Sequence, residues 1–228
     1  MQKAIFIFLV FLGITLSNGA NAQRKTYLGV KGGYNLSKAY FFHSFFGSDI
    51  VTGFESGFQG GIIAMNYLRN HVGLQAELLY SQKGWRQKFS NGEPDFVTEL
   101  SYVELPLLVN IYSGKDRLHF FANGGCFVEY LVNVKQSATP SDVSGQEFSP
   151  FEESRDNKFG YGFRGGIGTF YDFNFGTILL ESSFTYSLSD MMDAGQLSSH
   201  TSTDHIPTTS KNMVIGFSLA YMFSFGEL

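Results

Sequence analysis

The stretch "MVIGFSLAYMFSF", Met213 to Phe225, decides how the rest of the chain is read. Every second residue (Met213, Ile215, Phe217, Leu219, Tyr221, Phe223, Phe225) belongs to one unbroken apolar row. Between them stand Val214, Gly216, Ser218, Ala220, Met222 and Ser224, mostly small. A period of two is the signature of a β-strand, here with one greasy face and one small-residue face. Three media suit such a face: a protein core, the cavity of a soluble barrel, or lipid.

Composition narrows the choice. Aromatic residues make up 17% of the chain and glycine 26 of its 228 residues, while charged residues are 16%, against about 25% in ordinary soluble domains. The first 22 residues stand apart, with Lys3, an apolar run from Ala4 to Leu12 and then Ala20-Asn21-Ala22. This pattern predicts a secretory signal peptide over 1–22, cleaved after Ala22, followed by one domain over 23–228. After residue 23 no apolar segment reaches the ~18 residues of a membrane-spanning helix. Strands can still cross a membrane, because alternation dilutes their apolar residues. The net charge of −4 argues against nucleic acid as a partner, which needs clustered Lys and Arg. The lone cysteine, Cys126, reads as a small apolar strand residue.

Eight alternating segments are predicted, at about 26–37, 56–67, 72–82, 99–112, 118–133, 159–171, 177–189 and 213–225. The connections after the second, fourth and sixth are short, around "LRNH", "SGKDR" and "DFNF". Those after the first, third, fifth and seventh are long, over roughly 38–55, 83–98, 134–158 and 190–211. Transmembrane β-barrels show this asymmetry, with tight periplasmic turns at one rim and long extracellular loops at the other. The polar faces, rich in Gly, Ser, Thr, Asn and Gln, make a poor soluble exterior but suit the narrow bore of eight strands. The apolar faces are too bulky for that bore, so lipid is the medium that remains.

The predicted fold is therefore all-β: an eight-stranded antiparallel up-and-down transmembrane barrel. Its lumen would carry Lys31, Glu77, Glu104, Glu129, Arg164 and Glu181 as a charge network that plugs the bore. Interfacial girdles are expected from Tyr27, Tyr67, Tyr112, Tyr171 and Phe225 at the short-turn rim. Tyr80, Trp85, Tyr130, Tyr161 and Tyr186 would form the girdle toward the loops. Pro106 cannot donate to the ladder and should mark a bulge or local break.

Several segments, "YLGVKGGYNLS", "LQAELLYSQKGW", "LSYVELPLLVNIY", "FFANGGCFVEYLV" and "YGFRGGIGTFYDF", together with the closing aromatic alternation, resemble the PorT-like outer-membrane β-barrel family common in Bacteroidota. The most specific matches are Glu77 to Gly84 and Tyr102 to Leu108. The resemblance implies an eight-stranded outer-membrane barrel and no single activity. Barrels of this class often end on an aromatic residue, whereas here Gly226, Glu227 and Leu228 follow Phe225.

Catalytic chemistry finds little support. Gly160, Gly162 and Gly165 spell G-x-G-x-x-G, but within an alternating strand rather than between a strand and a helix, so they read as close backbone packing. Asp190, Asp193, Ser198, Ser199, His200, Asp204 and His205 supply nucleophile and base types in the fourth loop without an ordered motif. The histidines show no metal-ligand spacing, and no cofactor or metal is expected. Acidic residues of the third loop (Asp142, Glu147, Glu152, Glu153 and Asp156) offer divalent-cation bridges to lipopolysaccharide, beside the plainer reading of a solvated loop. In the first loop Tyr40, Phe41, Phe42, Phe45, Phe46 and Phe54 form a candidate interaction patch: a buried loop core, a membrane contact or a protein partner's site.

The expected function is that of a non-enzymatic outer-membrane barrel whose loops serve surface interaction or envelope integrity. Its partners would be outer-membrane lipid, lipopolysaccharide and a protein at the loops. A small channel or secretion-associated barrel and a loop-rim enzyme are the alternatives.

Overall fold

The structure, a computed structural model, describes residues 25–42, 52–69, 71–87, 96–137, 156–191 and 209–225. The segment read as a signal peptide, 1–22, lies outside the described residues. Eight long strands follow one another: β1 (Thr26–Phe42), β3 (Glu55–Arg69), β4 (Val72–Gln87), β5 (Phe96–Lys115), β6 (Leu118–Gln136), β7 (Phe159–Phe173), β8 (Gly176–Ser187) and β9 (Thr209–Phe225). A ninth element, β2 (Thr52–Gly53), is a two-residue clip on the upper end of β4, pairing with Gln87 and Arg86. Each long strand pairs antiparallel with the next, β4 pairs with β5, and β9 returns to β1, so the sheet is a closed up-and-down ring. Closure gives every long strand two long partners and leaves none of them as an edge, as hydrocarbon surroundings require.

The registers fix how the ring closes. From Leu28 the pairs lead through Ala64, Ala76, Leu107, Cys126, Phe163, Tyr186 and Met213 to Lys38, ten residues above the start. With strand rise and spacing from ordinary sheets, that stagger over eight strands tilts them by about 40°.

The alternation in the sequence is the alternation between lumen and exterior. On β1, Tyr27, Lys31 and Asn35 are buried while Leu28, Val30 and Tyr34 are exposed. On β9, Val214, Ser218, Ala220 and Met222 point inward, and Phe217, Leu219 and Phe223 are about half exposed. The apolar row of the closing strand thus faces outward, as do Ile62, Val109, Phe120, Phe163, Ile167 and Leu180. A water-soluble wall would not hold such a belt.

The strands run further toward the loop rim than sequence periodicity predicts. The ladder of β4 continues to Gln87, β5 begins at Phe96 and β9 at Thr209. Lys83 and Arg86 interrupt the apolar pattern there, but backbone pairing continues where the wall rises past the apolar belt. The asymmetry of the connections stands: residues 70–71, 116–117 and 174–175 suffice at one rim, whereas 43–51, 88–95, 137–158 and 188–208 join strands at the other. Asp116 takes a left-handed φ of 58° in its two-residue turn, a conformation that Asp tolerates and tight hairpins demand.

Pro106 breaks pairing on one side only. The β4–β5 ladder skips from Leu79↔Glu104 to Ala76↔Leu107 without changing register, while Pro106 still pairs with Phe127 on β6. The bulge in β5–β6 sits instead at Ser101/Tyr102.

The predicted girdles need correction. Tyr27, Tyr67 and Trp85 point into the barrel and are almost fully buried, and half-buried Tyr112 packs with the interior cluster. Their positions share parity with Lys31, Ile63, Glu77 and Asn110, which sends them inward whatever their ring chemistry. The outer aromatic band at the short-turn rim keeps the expected Tyr171 and Phe225 and adds Phe173 and Phe175, with successive centroids from Tyr171 4.6 and 5.1 Å apart, and Tyr221 and Phe223.

The outward face makes a direct prediction. Ile167, 67% exposed near the middle of β7, replaced by Arg should cost about 2–4 kcal/mol of folding free energy in phospholipid vesicles. Urea unfolding monitored by tryptophan fluorescence measures it; an unchanged midpoint would mean that the face meets water.

Candidate functional site

The six charges predicted for the lumen, Lys31, Glu77, Glu104, Glu129, Arg164 and Glu181, all lie in the interior, each at most 4% exposed. Barrel stagger brings them together. Lys31 pairs through Gly61 to Leu79 on one side and through Ala220 to Leu179 on the other. A ten-residue stagger over eight strands displaces level positions by about two residues over two strands, which lands on Glu77 and Glu181. Accordingly the Lys31 ammonium donates to Glu77 Oε1 at 2.6 Å and to Glu181 Oε2 at 3.0 Å. Arg164 stands among three carboxylates, 3.6 Å from Glu104 and 3.8 Å from each of Glu77 and Glu181; its Nη2 donates to Ser183 Oγ at 3.3 Å.

A seventh member was not among the predicted site residues. Lys83 bridges Glu104 and Glu129, the latter at 2.5 Å, and its ammonium lies 5.1 and 5.2 Å from the ring centres of Phe127 and Tyr102. The alternation predicts a strand that ends at Gln82 and a loop that begins at Lys83, whereas β4 continues to Gln87. The available signal was parity: Gln75, Glu77, Leu79, Ser81, Lys83 and Trp85 form one inward row. Glu104 and Glu129 are directly opposed on neighbouring strands, an arrangement that repels unless a cation separates them.

Amides extend the belt. Gln75 donates to Glu77 at 2.6 Å and accepts from Asn110 at 2.9 Å and Asn123 at 3.4 Å. Asn35 donates to Ser81 at 3.0 Å on the loop side. Apolar layers flank the belt above and below. Toward the short turns Tyr27, Ile63, Met65, Tyr67, Phe121, Phe170, Leu179 and Met222 form a floor, with Tyr67 and Tyr112 centroids 4.3 Å apart. Toward the loops Ala39, Phe41, Trp85, Leu100, Tyr102, Leu131 and Met191 form a roof. At the floor's rim Asp172 accepts from Lys25 at 2.8 Å, Tyr27 at 3.2 Å and Thr177 at 2.5 Å, pinning the start of β1 across to the β7–β8 hairpin.

The expected aromatic patch is not one surface. Tyr40, Phe41 and Phe42 belong to β1, where alternation sends Tyr40 outward and Phe41 inward against Trp85, 5.2 Å between centroids. Phe54 is outward and half exposed; the Lys38 ammonium lies 5.9 Å from its ring and 5.0 Å from that of Tyr40. Phe45 and Phe46 lie outside the described residues, as do Asp193, Ser198, Ser199, His200, Asp204 and His205. The G-x-G-x-x-G letters fall wholly within β7; a methyl on Gly160 would meet the Glu129 carboxylate at 2.7 Å, so glycine there makes room for that side chain.

Comparison with known proteins agrees with this architecture. The family model described as "Outer membrane protein beta-barrel domain" matches residues 13–193. No curated protein matches the chain by sequence. Among solved structures, the outer membrane protein OprG from Pseudomonas aeruginosa is similar in fold, with a TM-score of 0.53 at 11% identity over 89% of this chain and 96% of that one. AlkL, solved in lipid bilayers, matches at TM-score 0.43 and 13% identity over 92% and 95% of the two chains. Ail of Yersinia pestis, in complex with a heparin analogue, matches at TM-score 0.43 and 12% identity over 87% and 99%.

The belt predicts a severe cost for removing its missed member. Lys83→Met leaves Glu104 and Glu129 face to face and should cost about 3–5 kcal/mol. Adding Glu104→Gln and Glu129→Leu to the same chain should recover most of that. Unfolding midpoints in vesicles test both steps; a tolerated single variant would show that Lys83 does not hold the pair together.

Proposed function

Because the chain belongs to the outer membrane protein beta-barrel domain family, we propose that it acts as a closed, non-enzymatic outer-membrane barrel whose long connections serve surface interaction or envelope integrity. The observation that carries this reading is the filled bore: an aromatic floor, an ionic and amide belt and an apolar roof stacked across the lumen. An eight-stranded barrel has room for its own side chains and little more. Chemistry or exchange with other molecules is then left to the rims, and the four longer connections all leave from one of them.

The PorT-like subclass belongs to this proposal, supported by Glu77 to Gly84 and Tyr102 to Leu108, as does export by a signal peptide cleaved after Ala22. Lipopolysaccharide is the expected lipid contact at the loop-side rim. Lys38, between Tyr40 and Phe54 on the outer face, has the charge and aromatic setting that suit an anionic headgroup.

A small channel is the competing reading, favoured by the many polar side chains of the belt. Planar-bilayer recording separates the two. The native protein should give no unitary conductance, while Phe41→Ala with Trp85→Ala, which opens the roof, should raise ion leakage; steady native conductance would sink the closed-barrel reading. Surface display is checked by inserting a short epitope within 138–155 and labelling intact cells. The epitope should be stained without permeabilisation, and staining only after lysis would reverse the assigned orientation.

A further inference from the structure

The mid-barrel belt sets four carboxylates, Glu77, Glu104, Glu129 and Glu181, against three cations, Lys31, Lys83 and Arg164. The amides beside it have their orientation dictated by hydrogen-bond logic. A carboxylate accepts, so Gln75 must turn its Nε2 toward Glu77 Oε1, at 2.6 Å. Gln75 Oε1 then faces Asn110 and Asn123, which donate to it through Nδ2. Both asparagines are thereby obliged to turn their Oδ1 atoms elsewhere, and neither oxygen has a donor among the described residues.

Asn123 Oδ1 converges with Glu181 Oε1 above Gly166. A methyl carbon on that glycine would lie 2.8 Å from the amide oxygen, 3.1 Å from the carboxylate oxygen and 3.1 Å from the Ser182 carbonyl oxygen. Glu181 Oε1 is the oxygen that Lys31 does not take, and it too has no donor among the described residues. Arg164 Nη2 stands 3.8 Å from it, beyond hydrogen-bond reach. The two side chains are 9% and 4% exposed, so bulk water does not serve them.

We propose that a monovalent hard cation, sodium or potassium, binds above Gly166 on Asn123 Oδ1, Glu181 Oε1 and the Ser182 carbonyl oxygen. One carboxylate with neutral oxygens is a donor set for such an ion, not for zinc or copper, which favour nitrogen and sulfur. A water molecule would satisfy the two side-chain acceptors but leave the belt with its surplus negative charge. Glycine at 166 supplies the space, since any side chain there would enter the cradle.

The test is the melting of purified full-length protein in detergent, at one ionic strength, in sodium, potassium or choline chloride. The site predicts a saturable rise of about 3–5 °C in sodium or potassium relative to choline, lost in Gly166→Ala and in Glu181→Gln. Equal midpoints in the three salts for the native chain would overturn it, leaving water or a shared proton as the occupant. A folded Gly166→Ala that keeps the full shift would overturn it as well, and if that variant does not refold, retention of the shift by Glu181→Gln does the same. The readout is independent of conductance and of anything the loops bind.

Discussion

The seam between β1 and β9 is the interaction on which the rest depends. Seventeen residue pairs join Thr26–Phe42 to Thr209–Phe225, and without them both strands would present unpaired amides and carbonyls to hydrocarbon at a cost of several kcal/mol each. Closure therefore comes before any side-chain preference. It also fixes the stagger, and the stagger fixes the bore and decides which inward residues share a level. Lys31 meets Glu77 and Glu181 because the ring closes ten residues out of step, not because any local motif places them together.

A bore of that width imposes its own chemistry. The charges inside are at most 4% exposed, so each must find its partner across the lumen. The belt meets this by interleaving three cations among four carboxylates and by using amides to relay hydrogen bonds between them. Aromatic layers above and below shield the belt, and the Lys83 ammonium beneath Phe127 and Tyr102 joins the ionic layer to the roof. Glycine at 160 leaves the space that Glu129 fills, and glycine at 166 leaves the space that Asn123 Oδ1 and Glu181 Oε1 border.

Most of the wall was legible in the sequence because alternation in a barrel is imposed by geometry at every residue. The outward rows of β1, β7 and β9 and the six lumen charges follow from parity alone. Errors arose where parity and chemical habit disagreed. Tyr27, Tyr67 and Trp85 look like interfacial anchors, yet they occupy inward positions and plug the ends of the lumen. Lys83 looks like the start of a loop, yet the ladder of β4 carries it inward. Tyr40 and Phe41 read as one aromatic cluster because they are adjacent, and a strand sends adjacent residues to opposite faces. The belt's pairings were not legible, since they depend on the closure register, which becomes known only when all eight strands are in place. OprG, at 11% identity, shares the fold.

The closed ring is tested most directly at its seam. In a Cys126→Ser background, Val30→Cys with Tyr221→Cys places two thiols on directly paired outward positions, whereas Val30→Cys with Phe217→Cys offsets them by four residues along β9. In membranes treated with a mild oxidant, the first pair should form an intrachain disulfide nearly quantitatively and the second should not. Absence of the first crosslink, or equal yields from both, would contradict a barrel closed between β1 and β9 in this register.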